Sequence, residues 1–133
     1  LELTRFSVTI PVDLLEELDE FVKGQRLPNR SEAVREIIRR HLVSAAWESR
    51  AGNIFGVLVM VYDHHSFDVL ERLTEVQHDH VHLVVSTMHV HLDHHNCLEL
   101  SVLKGPASEL KAFVDRIYAL RGLKFREFVA ART

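Results

Sequence analysis

Apolar and polar residues alternate strictly through residues 4–10. Phe6, Val8 and Ile10 fall on one side; Arg5, Ser7 and Thr9 fall on the other. That period predicts a short half-buried strand. The period then lengthens. Leu14, Leu15, Leu18, Phe21 and Val22 recur at helical spacing behind Pro11, which predicts a helix over 12–23 with Gly24 placed to stop it. Leu27-Pro28-Asn29 reads as a turn. Asn29 or Ser31 can cap a second helix reaching residue 47, with Ala33, Val34, Ile37, Ile38 and Leu42 as its apolar stripe. This strand-helix-helix unit is too small to bury a core convincingly, and its strand has nothing to pair with. Antiparallel pairing with the same strand of a second copy remedies both.

The pattern changes again after residue 48. A nearly all-apolar, β-branched run over 54–62 predicts a strand buried on both faces. Residues 63–66 read as a turn, with Ser66 able to cap a helix over 67–78. A long strand over 81–92, a turn at 93–96 and a strand over 97–104 follow. A helix over 107–120 carries Leu110, Phe113, Val114, Ile117 and Leu120 on one side. Gly122 ends it before a last strand over 123–130. The order βαββαβ is the split pattern of ferredoxin-like folds. The expected class is α+β: a strand-helix-helix unit over 1–48, a linker over 49–53 and a ferredoxin-like (ACT-like) domain over 54–133.

Composition narrows the function classes. The 133 residues, 47% apolar, suffice for one ordinary domain or two small ones and exclude a disordered chain. No apolar run approaches the roughly 20 residues of a membrane span, and the alternating opening does not read as a signal peptide. The chain opens on Leu1 rather than methionine, which leaves room for residues upstream. A single cysteine cannot form an internal disulfide and fits a reducing cytoplasm. Net charge is -3. Residues 1–50 hold eight Lys+Arg against nine Asp+Glu, and residues 51–133 hold eight against ten. Any DNA binding must therefore come from local placement of basic groups, not from the field of the whole chain.

Such placement exists in the first unit. A strand with outward Arg5-x-Ser7-x-Thr9, followed by two helices separated by Asn29-Arg-Ser-Glu-Ala33, resembles the ribbon-helix-helix family of DNA-binding proteins. The resemblance implies that two paired strands enter the major groove, which a two-stranded ribbon fits. Arg5 would pair bidentately with guanine, with Ser7 and Thr9 less selective. Arg30 and Ser31 would lie where the second helix points its N-terminus at a phosphate. On alternation alone, an exposed strand whose polar side merely meets water remains an equal reading.

Nine of the ten histidines fall between His64 and His95, and the only cysteine follows at Cys97. Imidazole and thiolate suit a borderline-soft transition metal. On the strand over 81–92, His89 and His91 share one face with Cα atoms roughly 7 Å apart. Cys97 begins the neighbouring strand and can swing back beside His91. Three donors from one hairpin make a half-site. His78 closes the preceding helix, and one chain is not expected to bring it to the same ion. The spacing His78-x10-His89-x-His91-x5-Cys97 is similar to that of the nickel-responsive regulators, over essentially the whole chain. The resemblance implies a homotetramer, a dimer of dimers, with one Ni(II) per subunit. Each ion would take His89, His91 and Cys97 from one subunit and His78 from a neighbour. Four such N/S donors favour square-planar nickel.

The remaining features are weaker. Gln77 and Glu99 are placed to fix imidazole orientation. Glu32 and Glu36, at i and i+4, are a possible hard-cation site, against the simpler reading of an acidic edge paired with Arg35, Arg39 and Arg40. His64, His65, His80, His94 and His95 lie outside the ligand pattern and read as solvated, able to take excess metal only weakly. The loop at residues 64–66 has no Lys or Arg, which weakens any further grip on phosphate. The expected function is a cytoplasmic nickel-dependent transcriptional regulator, a repressor of nickel uptake that binds operator DNA when loaded. It is expected to be neither an enzyme nor a membrane protein. The rivals are a sensor of another metal or small ligand and, further off, a metal-dependent hydrolase with an open water position.

Overall fold

A computed structural model of the chain describes residues 1–132; Thr133, the last residue of the expected second domain, lies outside the described residues. The chain divides into two compact units, residues 1–39 and residue 40 onward. In the first, residues 1–11 carry no secondary structure. The expected strand over 4–10 is therefore not formed in the single chain. Strand structure requires a hydrogen-bonded neighbour, and the sequence supplies no second strand nearby. Leu1, Leu3, Phe6 and Val8 stand exposed.

Helix α1 (Val12–Gly24) starts behind Pro11 as expected. It ends at Gly24 as expected, but the left-handed closing position is not a glycine. Arg26 takes the left-handed conformation at φ 54, and the Leu27 amide donates to the Val22 carbonyl at 2.9 Å. That six-to-one bond, with Arg26 donating to Lys23, is a Schellman closure with arginine where glycine is usual. Helix α2 (Arg30–Ser49) is capped by Asn29, whose Oδ1 accepts from the Glu32 amide at 2.8 Å. It ends the same way: Arg50 sits at φ 56 and the Ala51 amide donates to Ala46 at 3.1 Å.

The second unit has the predicted order. β1 (Asn53–Asp63), α3 (Phe67–Asp79), β2 (Val84–His91), β3 (Asn96–Pro106), α4 (Ala107–Tyr118) and β4 (Leu123–Ala131) build one four-stranded sheet. Its strand order is β2-β3-β1-β4, with every neighbouring pair antiparallel. Two details differ from expectation. Residues 81–83 form a 3-10 turn, so β2 is shorter than the strand predicted over 81–92. Ser66 stands at the N-cap of α3 without a side-chain capping bond.

The core lies on one side of the sheet. Leu58, Met60, Leu73, Leu103, Leu110, Phe113 and Ile117 are essentially fully buried there. Trp47 of α2 packs against it, its ring 5.1 Å from that of Phe128 with the Lys111 ammonium 5.1 Å over it. The prediction that β1 is buried on both faces is corrected. Its even positions from Ile54 to Tyr62 are buried, whereas Phe55 is exposed and Val57, Val59 and Val61 are half-buried. Those residues share the second face with Met88, Val90, Val102, Phe125 and Val129, all exposed. β-branched residues on that face are apolar without being covered in one chain. Among the described residues no helix is long and apolar enough to cross a membrane.

Candidate metal centre

The β2–β3 hairpin brings the candidate donors together. Its register sets His91 opposite Cys97 and His89 opposite Glu99. Residues directly opposite in an antiparallel pair share a face, so all four project from the same side. That is the core side, because Cys97 and Glu99 are buried there beside Tyr62 and Met60 of β1. His89 and His91 are exposed, as befits the edge strand. The turn from β2 to β3 is closed by the Leu92 amide on the Asn96 carbonyl at 2.9 Å.

Glu99 is the hub of this side, with 2% of its surface exposed. One oxygen accepts from Gln77 Nε2 of α3 at 2.7 Å. The other accepts from the Tyr62 hydroxyl at 3.3 Å and from His89 Nε2. Burial raises the Glu99 pKa, opposed by Gln77, His89 and Tyr62. Burial also pushes the Tyr62 phenol up, with Glu99 and Cys97 adding to the effect. A carboxylate can only accept, so it holds the His89 proton on Nε2 and leaves the lone pair on Nδ1. Tyr62 was invisible to sequence reasoning. It sits in an apolar strand, and only the register Tyr62–Cys97 discloses that it reaches the thiol.

His78 is exposed in the last turn of α3. Among the described residues, no three His, Cys, Asp or Glu side chains are gathered closely enough to hold a metal ion. The donor chemistry nevertheless fits one: two imidazoles and a thiol project from one hairpin face, one imidazole already oriented by a buried carboxylate.

In the first unit, Arg5, Ser7 and Thr9 are exposed, as is Ser31. Arg30 is engaged with Asp19, donating from Nε at 2.8 Å and from Nη2 at 2.9 Å. That pairing, chiefly its hydrogen bond, lowers the Asp19 pKa and raises that of Arg30. Glu32 accepts from Arg35 at 2.6 Å and from Arg39 at 3.2 Å, so two guanidinium groups share that carboxylate.

Two family models match. The NikR C terminal nickel binding domain matches residues 55–130, and the ribbon-helix-helix protein model of the copG family matches residues 4–44. The chain belongs to the nickel-responsive regulators. A Desulfovibrio desulfuricans protein named "Putative nickel-responsive regulator" is 47% identical over 98% of this chain and 94% of its own length. One of the same name from Thermococcus onnurineus is 40% identical over 100% and 96%. The family is one of regulators, not of enzymes, which removes the hydrolase reading. Its two domains account for the α+β architecture. An uncharacterised protein from Thermotoga maritima shares the fold, at TM-score 0.55 and 13% identity, over 61% of this chain and 100% of its own.

Proposed function

We propose that the chain is a nickel-dependent transcriptional repressor of nickel uptake, acting in the cytoplasm and binding operator DNA when nickel is bound. The observation that carries this is the hairpin face on which His91 opposes Cys97 while buried Glu99 orients His89. One nickel per subunit would be held by His89, His91 and Cys97, with His78 lent by a neighbouring subunit. Gln77 and Glu99 would steady the imidazole. A site completed between subunits leaves its fourth donor outside the single chain, and metal binding would draw His89, His91 and Cys97 together, since no three donors are gathered among the described residues.

Two uncovered apolar surfaces support a dimer of dimers. The second face of the sheet exposes Met88, Val90, Val102, Phe125 and Val129 on neighbouring strands, a contiguous group and not the scattered apolar residues normal on a monomer. The N-terminal residues Phe6 and Val8 are equally unaccompanied. Pairing two such segments would build the ribbon whose Arg5, Ser7 and Thr9 read bases, while Arg30 and Ser31 lie at the helix start that would meet phosphate. Arg30 would have to exchange Asp19 for phosphate. Glu32 and Glu36 would hold a hard cation only if Arg35 and Arg39 release Glu32. The working boundaries are residues 1–48 for the DNA unit, 49–53 for the linker and 54–133 for the sensor.

A nickel titration of the full chain tests the site. One equivalent per subunit with a sulfur-to-nickel charge-transfer band, lost in Cys97→Ala, is expected. Mixing His78→Ala with Cys97→Ala subunits should restore part of the band, because each supplies what the other lacks. Preference for tetrahedral zinc would overturn the choice of metal; failure of mixing would overturn the shared site.

A further inference from the structure

His78 stands between two tied neighbours. Gln77 donates to Glu99 of β3 at 2.7 Å, and Asp79 accepts from Arg116 Nη1 of α4 at 3.0 Å. Helix α3 buries Val69, Leu73 and Val76, and His80 continues that row at its C-terminal end. The pattern of the chain reads His80 as one more solvated histidine; in the fold it is half-buried. Its ring stacks on that of Phe113 of α4, with centroids 5.0 Å apart and planes at 21°. Phe113 is fully buried in the core. A carbonyl can only accept, so His80 donates from Nδ1 to the Val76 carbonyl at 3.0 Å. That carbonyl is among the last four of α3, which a helix leaves without amide partners of its own. The chain is pinned again just beyond. The Leu83 amide donates to the His80 carbonyl at 3.0 Å, Leu83 is buried, and His82 Nε2 donates to Glu109 of α4 at 3.1 Å.

Helical geometry turns these ties into a direction. Successive residues advance by about 100°, so His78 lies about 160° around the helix from Val76. With Val76 and His80 held inward, His78 is left pointing outward, and it is exposed. The Asp79–Arg116 pair is near half exposed on both sides and contributes little alone. The stack on Phe113 is the buried part of the anchor. None of the ties to α4 uses His89, His91 or Cys97, so they do not depend on the metal.

We infer that His80, Asp79 and Arg116 are positioning residues for His78: they fix the end of α3 on α4, so the donor offered to a neighbouring subunit is already aimed. The inference rests on the proposed lending of His78. A preformed donor spares the ordering of the helix end on binding, which would otherwise be subtracted from the affinity.

Hydrogen exchange on the metal-free full chain reads the anchor directly. The amides of residues 76–80 should be protected in the parent and exchange roughly tenfold faster in Asp79→Ala/His80→Ala, with residues 113–117 of α4 unchanged as the control for folding. Asp79→Ala/His80→Phe, which keeps a ring on Phe113, should regain most of the protection. Nickel affinity by chelator competition should fall about tenfold in Asp79→Ala/His80→Ala. That loss should vanish when His78→Ala is already present, whereas a merely structural role would lower affinity equally in both backgrounds. Unprotected amides at 76–80 in the metal-free parent overturn the anchor. An equal loss of affinity with and without His78 overturns the positioning role. Parent-like nickel binding by His78→Ala overturns the lent donor instead, and intact exchange protection tells that failure apart.

Discussion

Replacing Glu99 separates holding the fold from holding the metal. In Glu99→Ala the Tyr62 hydroxyl and the Gln77 amide lose their acceptor in a buried place. Each unsatisfied group costs about 1–3 kcal/mol. Removing a carboxyl whose ionised form burial disfavours returns part of that. The expected net loss in the metal-free protein is about 2–4 kcal/mol. Glu99→Gln keeps the shape but brings one amide against another at Gln77, a loss of about 1–2 kcal/mol. Glu99→Ala releases the His89 ring, and loss of such an orienting partner lowers metal affinity by roughly 10–100-fold. The single carbonyl oxygen of Glu99→Gln still accepts from His89 when its amide nitrogen faces Gln77. Urea unfolding at fixed protein concentration gives the first quantity, and nickel competition against a chelator gives the second. If folded Glu99→Ala binds nickel within twofold of the parent, Glu99 is a packing residue and the orienting role is wrong.

Four further outcomes follow from named contacts. Arg5→Ala should weaken specific DNA binding by about 1–3 kcal/mol with little effect on random DNA, measured by fluorescence anisotropy. Gly56→Ala should destabilise by about 1–3 kcal/mol, since a Cβ there meets the Val129 carbonyl and comes within 2.7 Å of the Phe128 ring; thermal unfolding reads it. Arg50→Gly should stabilise by about 1 kcal/mol in the same assay, because glycine takes the left-handed position of the α2 closure without strain. The pairing with Arg30 lowers the Asp19 pKa in the fold, so its stabilising effect is present above the ordinary carboxylate value of about 3.9 and fades as pH falls through the lowered one. Arg30→Ala should return Asp19 to the ordinary range in a carboxyl NMR titration.

Sequence pattern predicted each helix and each strand of the sheet: one buried side imposes the period of the helices, and an unbroken apolar run marks β1. Its failures have physical causes. Residues 4–10 alternate for a ladder that one chain lacks. The apolar run of β1 implied two covered faces, but one of them is open within a single chain. Gly24 was the obvious helix stop, yet Arg26 takes the strained position. At the candidate site, His89, His91 and Cys97 were legible because strand alternation and a short turn place them on one face. Tyr62 was not, since its meeting with Cys97 depends on the register of β1 against β3.

In the proposed function nickel sets the affinity for DNA. Duplexes selected from a random pool by the nickel-loaded full chain, titrated by anisotropy with nickel and again with a chelator at constant salt, test it most directly. Coupling of about 1–3 kcal/mol predicts roughly 5–150-fold tighter binding with nickel, abolished in Cys97→Ala. Equal affinity in both conditions, with nickel bound, would contradict the account.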